Sequence, residues 1–398
     1  VKYKWPLMKN AITLLDKLKL VKFILTTNKF TQGKKVEEFE KKWSKWLGVK
    51  HSLFVSSGST ANTLLLSSIK ELYNLQKGDK VIVPMVTWAT NIAPVIQLGF
   101  EPIFCDINFN DFSFDINELK KISEKYNDIK IIFITHLLGF SSEILKIASL
   151  FPNAIILEYN CESHGALYNG KLKVGSINSS TFSFYFGHHM TTIEGGMVST
   201  NDSKLYDIMK AKRAHGWARE MSKESFDKLS NENKDINKKF LFVTDGYNFR
   251  NTEIAAVLGL SQLKKLDNII YKRTINWILF NTMLDEKYFY LQNLSPNNSN
   301  FALPFICKNK KLKEIMVSMF EKYGIETRPI LTGNILKQPF LKQYSNRYTN
   351  QINANLIHEN GFYIGNNQFV TKRNFKLLEL LIKWSMEELY DNGRNNTR

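Results

Sequence analysis

Six short apolar runs, each followed by a helical pattern or a loop, constrain the fold of this chain more than any other feature. They are Leu53-Phe54-Val55, Val81-Ile82-Val83, Ile103-Phe104-Cys105, Ile131-Ile132-Phe133-Ile134, Ala154-Ile155-Ile156-Leu157 and Thr181-Phe182-Ser183-Phe184. Segments that are apolar at consecutive positions suit strands buried on both faces, and their alternation with helices predicts an α/β fold. The central sheet is expected to be mostly parallel, with helices on both faces.

The second half changes pattern. A long amphipathic segment from Thr252 to Leu284 has few helix breakers and gives way to the loop Ser295-Pro296-Asn297-Asn298-Ser299-Asn300. The boundary is therefore expected near residue 284, giving a large domain over 1–284 that begins with a helical segment, and a small α+β domain over 285–398. The small domain reads as a strand (Phe301 to Ile306), a helix (Leu312 to Tyr323), a strand (Ile325 to Pro329) and a last helix (Asn374 to Leu389). Residues 391–398 read as a loose tail.

Composition excludes several classes of function. The net charge of +17 invites a nucleic-acid reading, yet the lysines are scattered among acidic residues and no arginine-aromatic block recurs. A phosphate-bearing small substrate accounts for a basic cleft equally well, so no nucleic acid is expected. The three cysteines, Cys105, Cys161 and Cys307, are far apart, which suggests neither a disulfide framework nor a metal site, and a four-thiolate iron-sulfur cluster is excluded within one chain. No run of 18 apolar residues occurs, and the first residues lack the apolar core of a signal peptide. A cytoplasmic protein without membrane contact is the expectation.

Chemistry-bearing residues concentrate where strands end. The strand at 53–55 is followed by Ser56-Ser57-Gly58-Ser59-Thr60-Ala61-Asn62 and a helix expected from Thr63 to Leu72. Small residues at a helix start leave backbone N–H groups free for a phosphate, although a serine-rich cap alone is common. Trp88 offers a flat face on which a ring could stack, and a lone Trp serves the core as often. The segment Ser183-Phe184-Tyr185-Phe186-Gly187-His188-His189-Met190 carries two adjacent histidines, a side chain that can move a proton near neutral pH.

Taken in order, GKKVEEFEKKWSKWLGVKHSLFVSSGSTAN, VPMVTW, ILEYNCESHGA, SFYFGHHMTTIEGGMV and GYNFRNTEIAAVLGLSQL resemble the sugar aminotransferase family of fold-type I pyridoxal-phosphate (PLP) enzymes, the DegT/DnrJ/EryC1/StrS type. The likeness runs from about Gly33 to Tyr363. It implies the fold-type I transferase architecture, a homodimer with shared active sites, and PLP or pyridoxamine phosphate (PMP) as cofactor. In that family a lysine five residues after the serine of the SF motif forms a Schiff base with the cofactor. Here the position is His188, which has no primary amine, so the resemblance implies a cofactor held noncovalently.

The exchange of lysine for histidine, together with the FGHHM, RAHGW, GIETRP and GFY segments, resembles the 3-dehydratase branch of the family. That branch implies loss of the C3 hydroxyl from a nucleotide-diphosphate 4-keto-6-deoxy sugar, of the GDP-4-keto-6-deoxymannose kind, with His188 as base and glutamate as amino donor. By position, Gly58, Ser59 and Ser183 would hold the cofactor phosphate, with Asn248 reaching it from the other subunit. Trp88 would stack on the ring, with Glu162 beside it. His215 and Arg219 would meet the sugar and diphosphate, and Arg250 and Arg328 are further substrate contacts. Two other readings stand beside this one: a nucleotide-sugar 4-aminotransferase, and a catalytically weak relative that keeps the fold.

The weak-relative reading rests on one departure. The family shows Glu-Asp after the fifth strand, and the aspartate pairs with the cofactor's ring nitrogen; here the pair is Glu158-Tyr159. A phenol with a pKa of about 10 is neutral and cannot stabilise a protonated ring as a carboxylate does. Glu158 is expected to face the opposite side of the strand.

Overall fold

A computed structural model describes residues 3–395. All six apolar runs are strands: β1 His51–Val55, β2 Lys80–Pro84, β3 Glu101–Cys105, β4 Ile129–Thr135 and β5 Ile155–Tyr159, then, after a short hairpin of β6 Leu167–Tyr168 and β7 Leu172–Lys173, β8 Ser179–Ser183. A seventh strand of the sheet, β9 Gly196–Thr200, was not expected, because it begins at a glycine, ends in Ser-Thr and has only Met197 and Val198 as apolar residues. It is nevertheless buried at every position, since it pairs antiparallel with β1 on one side and β8 on the other.

The sheet order is β1-β9-β8-β5-β4-β2-β3, and every neighbouring pair that does not include β9 is parallel. Alternation along β1 shows how both faces are filled. Leu53 and Val55 join Leu64 and Leu65 of the helix Gly58–Leu72, whereas Phe54 between them points to Phe39 and Trp43 of the helix Lys34–Leu47. A sheet clad on both faces presents only its strand ends to ligands, and the carboxyl ends are where open α/β sheets bind them.

Three sequence expectations are corrected. The segment Thr252 to Leu284 is two helices, Glu253–Leu263 and Leu266–Asn281, broken at Lys264-Lys265. The break lets the Lys265 ammonium reach the fully buried carboxylate of Asp16, at 2.7 and 2.8 Å, in the helix Leu14–Thr26. The first helix of the large sheet starts at Gly58, five residues before Thr63, because Ser57 and Thr60 form a reciprocal cap ahead of it. The last helix is Lys372–Asn395, so the expected tail is helical to Asn395, and residues 396–398 lie outside the described ones.

The C-terminal part forms an antiparallel sheet, β10 Ala302–Ile306, β11 Thr327–Arg328 and β12 Gly361–Gly365, in the order β10-β12-β11. The helix Lys310–Lys322 matches expectation, the strand expected over 325–329 shortens to two residues, and both β12 and the helix Ile352–Asn360 were missed. The N-terminus belongs here as well. Trp5 bonds Gly324 and Glu326 through its backbone and Gly365 through its indole N–H, so residues before the first helix clamp the small sheet. No helix among the described residues is long and apolar enough to cross a membrane.

Candidate active site

The carboxyl ends of β1, β2, β5 and β8 open into a cavity of about 350 Å³, closed on the far side by Phe301, Arg328 and Tyr363 of the C-terminal part. Gly58, Ser59, Trp88, Tyr159, Glu162, Ser183, His188 and Arg328 all line it. Eight of the twelve residues singled out in the sequence are thereby brought to one place.

The rim nearest β1 is a helix start. Ser57 uses its own hydroxyl to cap Thr60, which leaves the N–H groups of Gly58 and Ser59 turned to the cavity. Position 58 must be glycine: a Cβ there would lie 2.7 Å from the Cβ of Ser183 and 3.1 Å from the Cys161 sulfur. That close approach is what carries the Ser183 hydroxyl to the helix N-terminus. Trp88 stands as the residue before the helix Ala89–Gln97, about half exposed, with its indole on the cavity wall.

Adjacent residues of β5 have opposite fates. Glu158 is fully buried on the far face, where His136 Nε2 at 3.0 Å, the Tyr168 hydroxyl, the Gly175 N–H at 2.7 Å and the Asn178 amide at 3.0 Å surround its carboxylate. It cannot reach the cavity. Tyr159 does line it, with its hydroxyl against the Cys161 thiol, and burial pushes the phenol well above its ordinary range. Glu162 completes this wall; it accepts the Leu138 N–H at 2.9 Å, and burial pushes its carboxyl up to about 7.

His188 projects from the loop after β8. Its backbone N–H donates to the Tyr185 carbonyl at 3.1 Å, and its own carbonyl faces Arg273 Nη2 at 3.5 Å. The ring packs 5.4 Å from Phe301. Nδ1 is buried without a hydrogen-bond partner, so Nε2 is the nitrogen left to the cavity. Burial first, and the charge of Arg273 second, push the imidazole down to about 3, which keeps it neutral and able to accept a proton.

The remaining four residues form a separate cluster. Arg250 donates to His215 Nε2 at 3.2 Å and to Asn248 Oδ1 at 3.2 Å, while the Arg219 guanidinium sits 3.6 Å from the centre of the Trp217 ring, which meets His215 edge-on. This loop is joined to β1 by the bridge Val55 to Arg250 and to the His215 segment by the bridge Ala214 to Asn248; Gly246 allows the second approach, since a Cβ there would meet the Gly216 nitrogen at 2.2 Å. None of the four lines the cavity of its own chain.

Sequence reasoning missed Tyr363 and Phe301 as wall residues and Arg273 behind His188. Tyr363 lies in the GFY segment already noted, whereas nothing local marks the other two, which reach the site only through tertiary packing. Among the described residues no His, Cys, Asp and Glu group could hold a metal ion.

The donor set fits a planar aromatic phosphate ester. A capped helix start with free N–H groups and two serine hydroxyls suits the phosphate, and the indole suits the ring. No lysine lines the cavity to bind such a group covalently.

Comparison with known proteins agrees with this geometry. A GDP-4-keto-6-deoxy-D-mannose 3-dehydratase of Escherichia coli O55:H7 is 34% identical over 359 residues, 88% of this chain and 92% of that protein. The crystal structure of a histidine-to-asparagine mutant of GDP-4-keto-6-deoxymannose-3-dehydratase with bound GDP-perosamine superposes with a TM-score of 0.88 at 32% identity, covering 95% of this chain and all of that one. A second structure of such an enzyme, with PLP and glutamate trapped as an adduct, gives 0.86 at 32% identity over 95% of this chain and all of that one. The model of the DegT/DnrJ/EryC1/StrS aminotransferase family matches residues 15–372, and this chain belongs to that family.

Proposed function

We propose that this protein is a PLP-dependent 3-dehydratase that removes the C3 hydroxyl of a GDP-linked 4-keto-6-deoxy sugar, using glutamate as amino donor and working as a cytoplasmic homodimer. The observation that carries the reading is His188, a neutral imidazole on the wall of a phosphate-cradling cavity, where a transaminase needs a lysine. The names of the relatives support the substrate class and the donor.

Bound as pyridoxamine phosphate, the cofactor would supply an amine for the sugar's C4 ketone and a conjugated ring that takes up electrons. Gly58, Ser59 and Ser183 hold its phosphate, and Trp88 and Tyr159 bound its ring. His188 Nε2 accepts the proton that must leave carbon and returns it to the departing C3 hydroxyl, one group thus acting as base and then as acid. Phe301 and Tyr363 bound the cavity on the side of the small sheet. Arg328, on β11 and loosely paired with Glu326 at 3.5 Å, is a cation at the wall that suits the carboxylate of glutamate or a substrate phosphate.

Ammonia and α-ketoglutarate released together from the GDP-linked 4-keto sugar and glutamate are the expected products. An aminated sugar would establish the transaminase instead, and no product would establish the silent relative. The shared-site dimer places Asn248, His215, Arg219 and Arg250 over the cavity of the other subunit. Mixing inactive His188→Asn and Asn248→Ala chains should then restore about a quarter of wild-type activity, because half of randomly paired dimers carry one intact site. No recovery after proven subunit exchange would leave each site to its own chain.

A further inference from the structure

Arg273, on the helix Leu266–Asn281, is 3% exposed and has no carboxylate partner among the described residues. Its contacts are carbonyl oxygens: Nη1 donates to Phe301 at 2.9 Å and Nη2 faces His188 at 3.5 Å, while Nε has no partner. An unpaired buried guanidinium is among the costlier groups a fold can carry, so its retention calls for a role. The two carbonyls it holds belong to the base itself and to the aromatic residue packed on the base.

The other groups around His188 leave Arg273 as the fixed charge behind it. His164, from the loop after β5, has its ring 6.2 Å away, and His189 follows in the chain; burial pushes both imidazoles well below their ordinary range. Tyr185 flanks the ring at 6.3 Å. On the cavity walls, Tyr159 and Tyr363 are pushed up and stay neutral, Glu162 titrates near 7, and Arg328 is half exposed to solvent. Burial lowers Arg273 itself only to about 9, so it remains a cation at neutral pH.

We infer that Arg273 is the positioning residue of the base: its contacts to the Phe301 and His188 carbonyls fix the His188 loop against Phe301 and set a buried cation behind the imidazole. This rests on His188 being the base. It adds that a residue outside the cavity fixes the base and reinforces, after burial, the neutral state of its imidazole.

The test is a titration of His188 by NMR in cofactor-free protein labelled at histidine, the signal being assigned by its loss in His188→Asn. Removing a like charge at this range should raise the His188 midpoint in Arg273→Gln by about one pH unit or more, whereas Arg273→Lys, which keeps the charge, should leave it low. In turnover, Arg273→Gln should lose up to about tenfold in kcat only where pH falls below its raised midpoint, and match the native kcat at neutral pH with KM unchanged. A folded Arg273→Gln with an unmoved midpoint, or a loss of kcat equal at every pH, overturns the inference. Should that variant not fold, Arg273→Lys decides: a midpoint that stays low with a reduced kcat supports the inference, and one that rises to the ordinary histidine range overturns it. Dehydration surviving in His188→Asn would instead overturn the reading of His188 as base.

Discussion

The cavity and the Asn248 to Arg250 loop both lie at strand ends, yet only the first is a concavity lined by its own chain. Around the cavity every polar group belongs to a wall. Glu162 is held by the Leu138 N–H, Ser183 is pressed to the helix start by the lack of a Cβ at Gly58, and His188 is backed by Arg273. The Asn248, Arg250, His215 and Arg219 cluster has cations and hydrogen-bonding groups on a partly exposed surface, held by one another and by Trp217, and stands apart from that cavity. The first region has the order that chemistry needs; the second has the charge that a diphosphate needs.

Substitutions can break this contrast. The largest effect is expected at His188. In His188→Lys, dehydration should fall about 10²–10⁴-fold, the contribution of a positioned base, and borohydride should fix the cofactor to the chain, which the native protein does not allow. Mass spectrometry of the reduced protein reads this directly, and undiminished turnover would remove His188 from the chemistry.

Glu162 comes next. Its folded value near 7 lies above the unfolded 4.5, so the fold favours the protonated acid. The stability it contributes is full below pH 4.5 and is lost as pH rises to about 7, a change of about 3 kcal/mol. His188 acts in the opposite sense, its contribution being present above 6.5 and lost as pH falls toward 3. The difference between native and Glu162→Gln denaturation curves of the cofactor-free protein isolates the acid, and a difference that does not vary over pH 4.5–7 would refute its burial as described.

Tyr159 sharpens the comparison within the cavity. Tyr159→Asp would add a carboxylate where the ring nitrogen is expected. Gaining a charge-assisted bond of about 1.5–3 kcal/mol in the transition state should raise turnover about 10- to 150-fold without changing the product. An equal or slower rate with cofactor bound would make the phenol part of this enzyme's own mechanism. The smallest effect is expected in the outer cluster: Arg219→Ala should raise KM for the nucleotide sugar about 2- to 5-fold, the worth of an exposed charge contact, and leave cofactor affinity unchanged. Isothermal titration with each ligand separates the two.

Much of this was legible in the chain alone. The six apolar runs named six strands, and the resemblance of the SF motif, with its five-residue step from Ser183, singled out His188, which the structure brings to the cavity wall. The alternation of side chains along a strand placed Glu158 away from Tyr159, as its far-face network bears out. Strand β9 escaped notice because its burial comes from two neighbours and not from its own apolarity, and the break at Lys264-Lys265 because a distant carboxylate, Asp16, draws the turn.

What local pattern determined, then, is the α/β layout, the small-residue helix start near Gly58 and an imidazole at position 188. Those depend on periodicity, small residues at a helix start and one side chain's chemistry. Tertiary structure alone decided that Arg273 stands behind His188, that Phe301 and Tyr363 close the cavity, that Trp5 ties the N-terminus to the small sheet, and that the Asn248 loop stays outside its own chain's cavity. Each of these joins residues far apart in the sequence, and burial and charge act through space, so no stretch of the chain carries their mark.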